Sequence, residues 1–207
     1  MNELFEDETL AAKIRDKLPK LFQMAEMESS RAGKVGMQVG SLREQILIAL
    51  LVHKFGEKNV KTDIPITESE VDVMLDGNPI SVKTITQKGF SGVKLVWTVD
   101  QTIAQKFVAH YKPMCDLFLA RIQWNSEGGL YYIPRETQNK ILSQVGPEHY
   151  IRMPKAGTNP RGIEISADAL RRLVFDNTTR TLTITWVRTE VNYNPLKRWI
   201  DLWKEDY

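Results

Sequence analysis

Four residues near the middle of the chain, Asp76-Gly77-Asn78-Pro79, constrain the fold more than any others. Such a cluster halts both helix and strand and favours a tight turn. On either side stand short runs, 70–75 and 80–86, in which apolar and polar residues alternate. Period-two alternation marks a half-buried strand, so the three segments together predict a β-hairpin. A further strand-like run, 59–64, precedes it. A lone hairpin is marginal in water, so it must pack on other elements of the chain.

In a strand, Glu68, Glu70 and Asp72 share one face, and Val71 and Val73 the other. Centring the turn on Gly77-Asn78 sets Met74 opposite Ser81 and Asp72 opposite Lys83. Opposed side chains lie about 5 Å apart. A loop with an even number of residues keeps Lys83 on the face of Asp72; an odd one reverses it. Pro79 cannot donate the bond that would close a two-residue loop there, which favours a four-residue loop over 76–79.

Carboxylates facing an ammonium have two readings. One is a cross-strand ion pair on a solvated face, worth at most about 1 kcal/mol. The other is phosphodiester hydrolysis. A divalent cation polarises a non-bridging phosphate oxygen and lowers the pKa of a bound water. Magnesium takes one or two carboxylates plus waters and phosphate oxygens. Asp72 with a second carboxylate would hold it, while Lys83 touches the phosphate and orients or deprotonates the water.

The remaining elements imply an α/β fold with one mixed central β-sheet flanked by helices, as a single domain over 1–207. An amphipathic helix spans 8–30, broken at Pro19. A mobile loop with three glycines covers 32–40. A strong helix follows over 41–55, stopped by Gly56, with Ser41 and Glu44 spaced as a capping box. A helix at 100–110 has Asp100 as N-cap. A buried strand over 115–124 turns at Glu127-Gly128-Gly129 into a strand over 130–133. A helix at 135–144, a polar loop at 154–162, a helix at 167–175, a strand at 181–188 and a Trp-bearing last helix complete the chain. His53 falls in an apolar helix and reads as a packed core residue. The tryptophans read as core or interface.

No apolar run is long enough to span a bilayer, and the acidic first residues are unlike a secretory signal, so a cytoplasmic location is expected and no membrane partner. One cysteine, Cys115, builds neither an internal disulfide nor a zinc site. There is no P-loop pattern and thus no expected nucleotide cofactor. The formal charge of +2 is uninformative in itself. Its distribution says more: 84–99 holds Lys88 and Lys94, and 149–163 holds Arg152, Lys155 and Arg161, each with no acid nearby in the segment until Glu164 and Asp100. Both segments could lie against phosphates.

Asp72, a β-turn, then Ser81-Val82-Lys83 resembles the hairpin of the PD-(D/E)XK nucleases. Their pattern is an aspartate, a variable spacer, then an acid, any residue and lysine. Here Ser81 stands where the acid is usual, and Val71 where proline often precedes the aspartate. Serine in that slot is similar to a subset of restriction enzymes that take the second carboxylate from elsewhere, for which Glu70 and Glu44 are the candidates. The order of elements most resembles the type II restriction endonucleases, ThaI-type enzymes in particular, which cut short sites of G and C only. That resemblance implies a magnesium-dependent enzyme that cuts double-stranded DNA at a short palindrome, leaves a 5′-phosphate and works as a homodimer. The catalytic set would be Asp72, Lys83, Glu44, Glu70 and Ser81, with Asp72, Glu44 and Glu70 as metal candidates. Glu44 keeps its alternative as the partner of Ser41 in a cap.

The segment with Lys155, Thr158, Asn159 and Arg161 resembles late DNA-reading loops of such enzymes. Arginine bonds guanine bidentately, and asparagine can read adenine or other edges. An ordinary surface turn at Asn159-Pro160 is the plain alternative. The glycine-rich loop offers Lys34, Met37 and Gln38; Met37 could wedge between base steps. Lys88 and Lys94 are placed for phosphate contact. Three rivals stand beside the restriction enzyme: a repair nuclease of the same fold, a non-catalytic DNA-binding module with a degenerate hairpin, and a protein-interaction domain.

Overall fold

The structure, a computed structural model, describes residues 1–31, 34–35, 38–65, 70–86, 89–96, 101–153 and 162–205. The chain opens with helices α1 (Asn2–Glu6) and α2 (Glu8–Glu28). Asp7 caps the second, accepting from the Leu10 amide at 2.9 Å. The expected break at Pro19 does not occur, and α2 runs through it. Proline removes one backbone bond and costs about 3 kcal/mol. Leu10, Ile14, Leu18 and Phe22 are buried on the same helix, and each such side chain contributes about 1.5–3 kcal/mol. The apolar stripe wins.

Two short strands follow, β1 (Ser30–Arg31) pairing with β2 (Lys34–Val35); β2 lies inside the segment 32–40 read as a loop, and β1 just before it. Helix α3 (Val39–Phe55) begins two residues ahead of Ser41 and has Gln38 as its N-cap. Ser41 therefore lies within the helix, and the capping box with Glu44 does not form. Gly56, at φ 84°, ends α3 as expected.

The strands β3 (Val60–Lys61), β4 (Val73–Leu75) and β5 (Asn78–Thr86) come next, then β6 (Val93–Val96) and α4 (Gln101–His110). They are followed by β7 (Asp116–Ile122), β8 (Ser126–Ile133), α5 (Arg135–Val145), α6 (Pro147–Tyr150), β9 (Ile151–Arg152) and β10 (Ile163–Ile165). Helix α7 (Ala167–Val174), β11 (Arg180–Trp186) and α8 (Lys197–Lys204) close the chain. The main sheet has six strands in the order β11-β8-β7-β5-β4-β3. Only the β5–β7 pair in it is parallel. A three-stranded sheet, β6-β10-β9, is hydrogen-bonded separately and packs into the same core as Ile85, Leu117 and Leu119.

Alternation along the central strands builds two cores. Phe118, Ala120 and Ile122 of β7, with Ile80 and Val82 of β5, pack under α1, α2 and α3. Leu117 and Leu119 of β7, with Ile85 of β5, pack under α4, α5 and α7. Ser81 and Lys83 share the face of Ile85 by the period-two rule, while α3 covers the other face.

Two local expectations fail. The turn lies at Asn125 (φ 63°), not at the glycine pair, and Gly128 and Gly129 sit within β8 opposite Ile184 and Thr183. A Cβ on Gly128 would stand 2.1 Å from the Arg121 carbonyl and 2.5 Å from Trp186 Nε1. These glycines serve close packing, which a turn-forming composition disguised. His53 is exposed and bonds Lys13 Nζ at 2.9 Å. It stands at the rim of an apolar groove between α2 and α3, beside Leu10, Ile14 and Leu50. Among the tryptophans, Trp186 is fully buried, but Trp203 is 91% exposed. No helix among the described residues is long and apolar enough to cross a membrane.

Candidate active site

The hairpin turns on two residues, Asp76 (φ 50°) and Gly77 (φ 80°). Left-handed conformations at both positions make the tight turn that Asp-Gly favours. The register is Val73↔Ile80, Met74↔Pro79 and Leu75↔Asn78, two residues away from the expected Met74–Ser81 pairing. The four-residue loop is thus a two-residue one. Pro79 is harmless because hydrogen-bonded and non-bonded pairs alternate: Asn78 closes the turn and the Pro79 nitrogen points away from β4.

A shift of two keeps parity, so Lys83 stays on the face of Asp72. The Asp72 amide donates to the Ile80 carbonyl at 3.0 Å, and the regular ladder begins one residue later, at Val73. β4 begins at Val73, and the Asp72 carboxylate lies against the edge of β5 beyond it. Its Oδ2 accepts from Lys83 Nζ at 2.8 Å, the Val82 amide at 2.7 Å and Ser81 Oγ at 3.2 Å. Oδ1 accepts no bond among the described residues. Lys83 and Asp72 side chains are 19% and 32% exposed, so the pair is only partly screened.

Glu44 enters from α3, on the opposite face of β5. Burial pushes its carboxyl up to about 7; Lys83 opposes the rise and the charge of Asp72 adds to it. The Thr84 amide also faces it. Glu44 is therefore a neighbour of both Asp72 and Lys83. Glu70 lies elsewhere in the same site. Burial pushes it up to about 7 as well, against the pull of Lys83 and Tyr111. Its backbone carbonyl takes the Cys115 thiol at 3.6 Å. The Tyr111 hydroxyl lies beside Glu70 without completing a hydrogen bond among the described residues. Lys94 of β6 lines the same small cleft as Glu70, Ser81, Lys83 and Tyr111.

All five sequence candidates for catalysis thus meet around one strand edge. Tyr111 and Cys115 went unpredicted, being over 30 residues from Glu70 in the chain, with no local pattern to announce them. Of the DNA candidates, Gln38 is the exposed N-cap of α3 and Lys34 lies in β2. Met37, Lys88, Lys155, Thr158, Asn159 and Arg161 lie outside the described residues.

The donor set suits a hard divalent cation. Asp72 Oδ1 accepts no bond among the described residues, and Glu44 beside it resists ionisation partly because Asp72 is charged. A cation would relieve that repulsion. Among the described residues no three acidic, His or Cys side chains close on one point. Two carboxylates would be the protein's share, with water and phosphate oxygens for the rest.

A six-stranded mixed sheet flanked by helices, with this edge site, defines a restriction-endonuclease-like α/β enzyme. The comparisons carry this further. A family model described as Restriction endonuclease ThaI matches residues 4–205. A solved structure described as a restriction endonuclease in complex with substrate DNA is similar with a TM-score of 0.91 and 55% identity, over 99% of this chain and 99% of that one. Among the curated proteins none matches. The chain belongs to the restriction endonuclease ThaI family and is a site-specific DNA endonuclease.

Proposed function

We propose that the chain is one PD-(D/E)XK nuclease domain that hydrolyses double-stranded DNA with Mg2+ at a short palindromic site of G and C only. The observation that carries the chemistry is the Asp72 carboxylate: three donors hold Oδ2, Oδ1 accepts no bond among the described residues, and Glu44 stands beside it. Asp72 and Glu44 are the metal ligands in this reading. The bound ion supplies a water of lowered pKa and polarises the phosphate. Lys83, held by Asp72, contacts a phosphate oxygen and orients the attacking water. Ser81 fills the usual acid slot and helps to fix Asp72. Glu70 faces Tyr111 and the back of Lys83, so it sets the charge around the lysine. Lys94, on β6 of the smaller sheet, lines the same cleft and offers a second cation to the DNA backbone. The 5′-phosphate product, the palindrome and its composition rest on the family resemblance, as do Lys155, Thr158, Asn159 and Arg161 as base readers and Met37 as a wedge.

The partner is a second copy of this chain. Helix α8 has no buried residue, yet Leu196 is 62%, Trp199 50%, Ile200 42% and Trp203 91% exposed. Their spacing places all four on one face. Large aromatics present about 150–250 Å² each, so two copies of the face would cover on the order of 1,000 Å² in total, enough for a stable interface. A two-fold pair also fits a palindrome.

The test is plasmid DNA with magnesium, beside an EDTA control and Lys83→Ala. Discrete bands that vanish with either change support the reading. A mobility shift without cleavage would leave only a DNA-binding module, and a metal-dependent smear a nuclease without sequence preference.

A further inference from the structure

Among the described residues two charged residues are buried as a whole, Glu26 at 5% and Arg43 at 4% exposure. They meet each other: Arg43 Nη2 donates to Glu26 Oε1. Arg43 Nη1 donates to Thr86 Oγ1 at 2.6 Å. Glu26 also accepts from Trp124 Nε1 at 2.8 Å and from Arg188 Nη2 at 2.6 Å. Arg43 lies over the Phe22 ring at 5.8 Å. One carboxylate thus gathers donors from α3, from the β7–β8 turn and from the segment after β11.

Stability gives no reason for this arrangement. Desolvating an ion pair is unfavourable, and an apolar pair of similar volume often does as well or better. Geometry gives one. Arg43 directly precedes Glu44 on α3, and Thr86 stands three residues beyond Lys83 on β5. The planar, five-donor fork of arginine can fix two directions at once, which a lysine cannot. It ties the start of α3 both to α2 and to the strand that carries Lys83. No comparable polar tie holds Glu44 itself among the described residues, apart from the Thr84 amide facing it.

We propose that Arg43, clamped by Glu26, is a positioning residue that sets Glu44 against the Asp72–Lys83 pair. This rests on the reading of Glu44 as the second metal ligand. A misplacement of about 1 Å in such a site can cost on the order of 10²-fold in rate.

Arg43→Lys keeps a charge for Glu26 and removes the fork; Thr86→Val removes only the acceptor on the strand. Each variant is tested for Mn2+ binding by calorimetry, single-turnover cleavage at saturating DNA, DNA affinity in EDTA and thermal midpoint. Arg43→Lys is expected to fold, to bind DNA in EDTA as the unaltered protein does, to bind Mn2+ about tenfold more weakly and to cleave about 10²-fold more slowly. Thr86→Val shifts both in the same direction by less. Unchanged Mn2+ affinity and rate in folded Arg43→Lys overturns the proposal. If that variant does not fold, unchanged values in Thr86→Val overturn it. Glu44→Gln separates the two ideas. If it still binds Mn2+ and cleaves, the reading of Glu44 itself is wrong. If it loses both while the other two variants lose neither, only the positioning role of Arg43 is wrong.

Discussion

Taking the metal-free protein from pH 5 to pH 8 is expected to destabilise it, through Glu44 and Glu70. Burial pushes both carboxyls up to about 7 from the ordinary 4.5. A carboxyl with a raised folded pKa holds its proton more tightly in the folded state than in the unfolded one. Its contribution to stability is complete below about 4.5 and is lost as the pH rises through 7. One pKa unit corresponds to about 1.4 kcal/mol. Most of the 4.5-to-7 interval lies inside the scanned window, and partial solvation weakens it, so roughly 2 kcal/mol is lost per group. For a chain of this length 1 kcal/mol moves the midpoint by about 2–4 °C, and the pair should lower it by on the order of 10 °C. The other shifted groups act outside the window: Asp7 and Asp176 are lowered by their lysine partners, and burial pushes Cys115 up to about 12. Thermal melts in EDTA at half-unit pH steps make the measurement, with Glu44→Gln alongside. The variant should show about half the fall. A flat midpoint in the parent chain, or an undiminished fall in Glu44→Gln, refutes the reasoning. Adding magnesium should flatten the curve, because the ion favours the ionised ligands.

Four further outcomes follow from the structure. Asp72→Asn should abolish cleavage, measured on plasmid DNA, while the fold survives, because an amide still accepts from Val82 and Ser81 but binds the cation poorly. Ser81→Ala removes the longest of three donors to Oδ2, so its rate should fall by less than about tenfold. Gly128→Ala should lower the melting midpoint sharply, since its Cβ would collide with the Arg121 carbonyl and the fully buried Trp186. Trp203→Asp should leave the monomer folded and shift the chain toward monomer in light scattering, because that side chain touches little of its own chain.

The elements of the main sheet and its long helices were legible in the sequence, because hydrophobic period depends on local residues, but α6 and the second sheet of β6, β9 and β10 were not. It carried boundaries and exceptions poorly, because those depend on packing. Pro19 breaks a helix in isolation, but its neighbours bury enough apolar surface to hold α2 together. Gly128-Gly129 has the composition of a turn, but Trp186 demands bare backbone there. Ser41 and Glu44 have the spacing of a cap, but the helix starts earlier, and Glu44 is released toward the sheet. The Glu26–Arg43 network joins residues 17 apart, and its other partners lie up to 162 residues away. No spacing rule could have assembled it.

The hairpin explains why the site was legible although its register was misread. The expected pairing was off by two residues and the loop by two. Side chains in a strand repeat every second residue, so an even error moves Lys83 along the face of Asp72 without turning it over. Lysine has a long stem, and the remaining offset is spanned: Nζ still reaches Oδ2 at 2.8 Å. Serine at position 81 then ceases to be a defect. In the proposed reading the second carboxylate is Glu44 of α3, which leaves Ser81 free to steady Asp72. What this architecture requires of its sequence is an even loop, a short β4 and an α3 that begins early enough to present Glu44. Lengthening the turn by one residue would reverse the faces of β4 against β5 and should abolish cleavage and lower the melting midpoint, because Val73 and Leu75 would leave the core, whereas lengthening it by two should leave measurable activity on plasmid DNA. Equal loss from both insertions would refute the argument from parity.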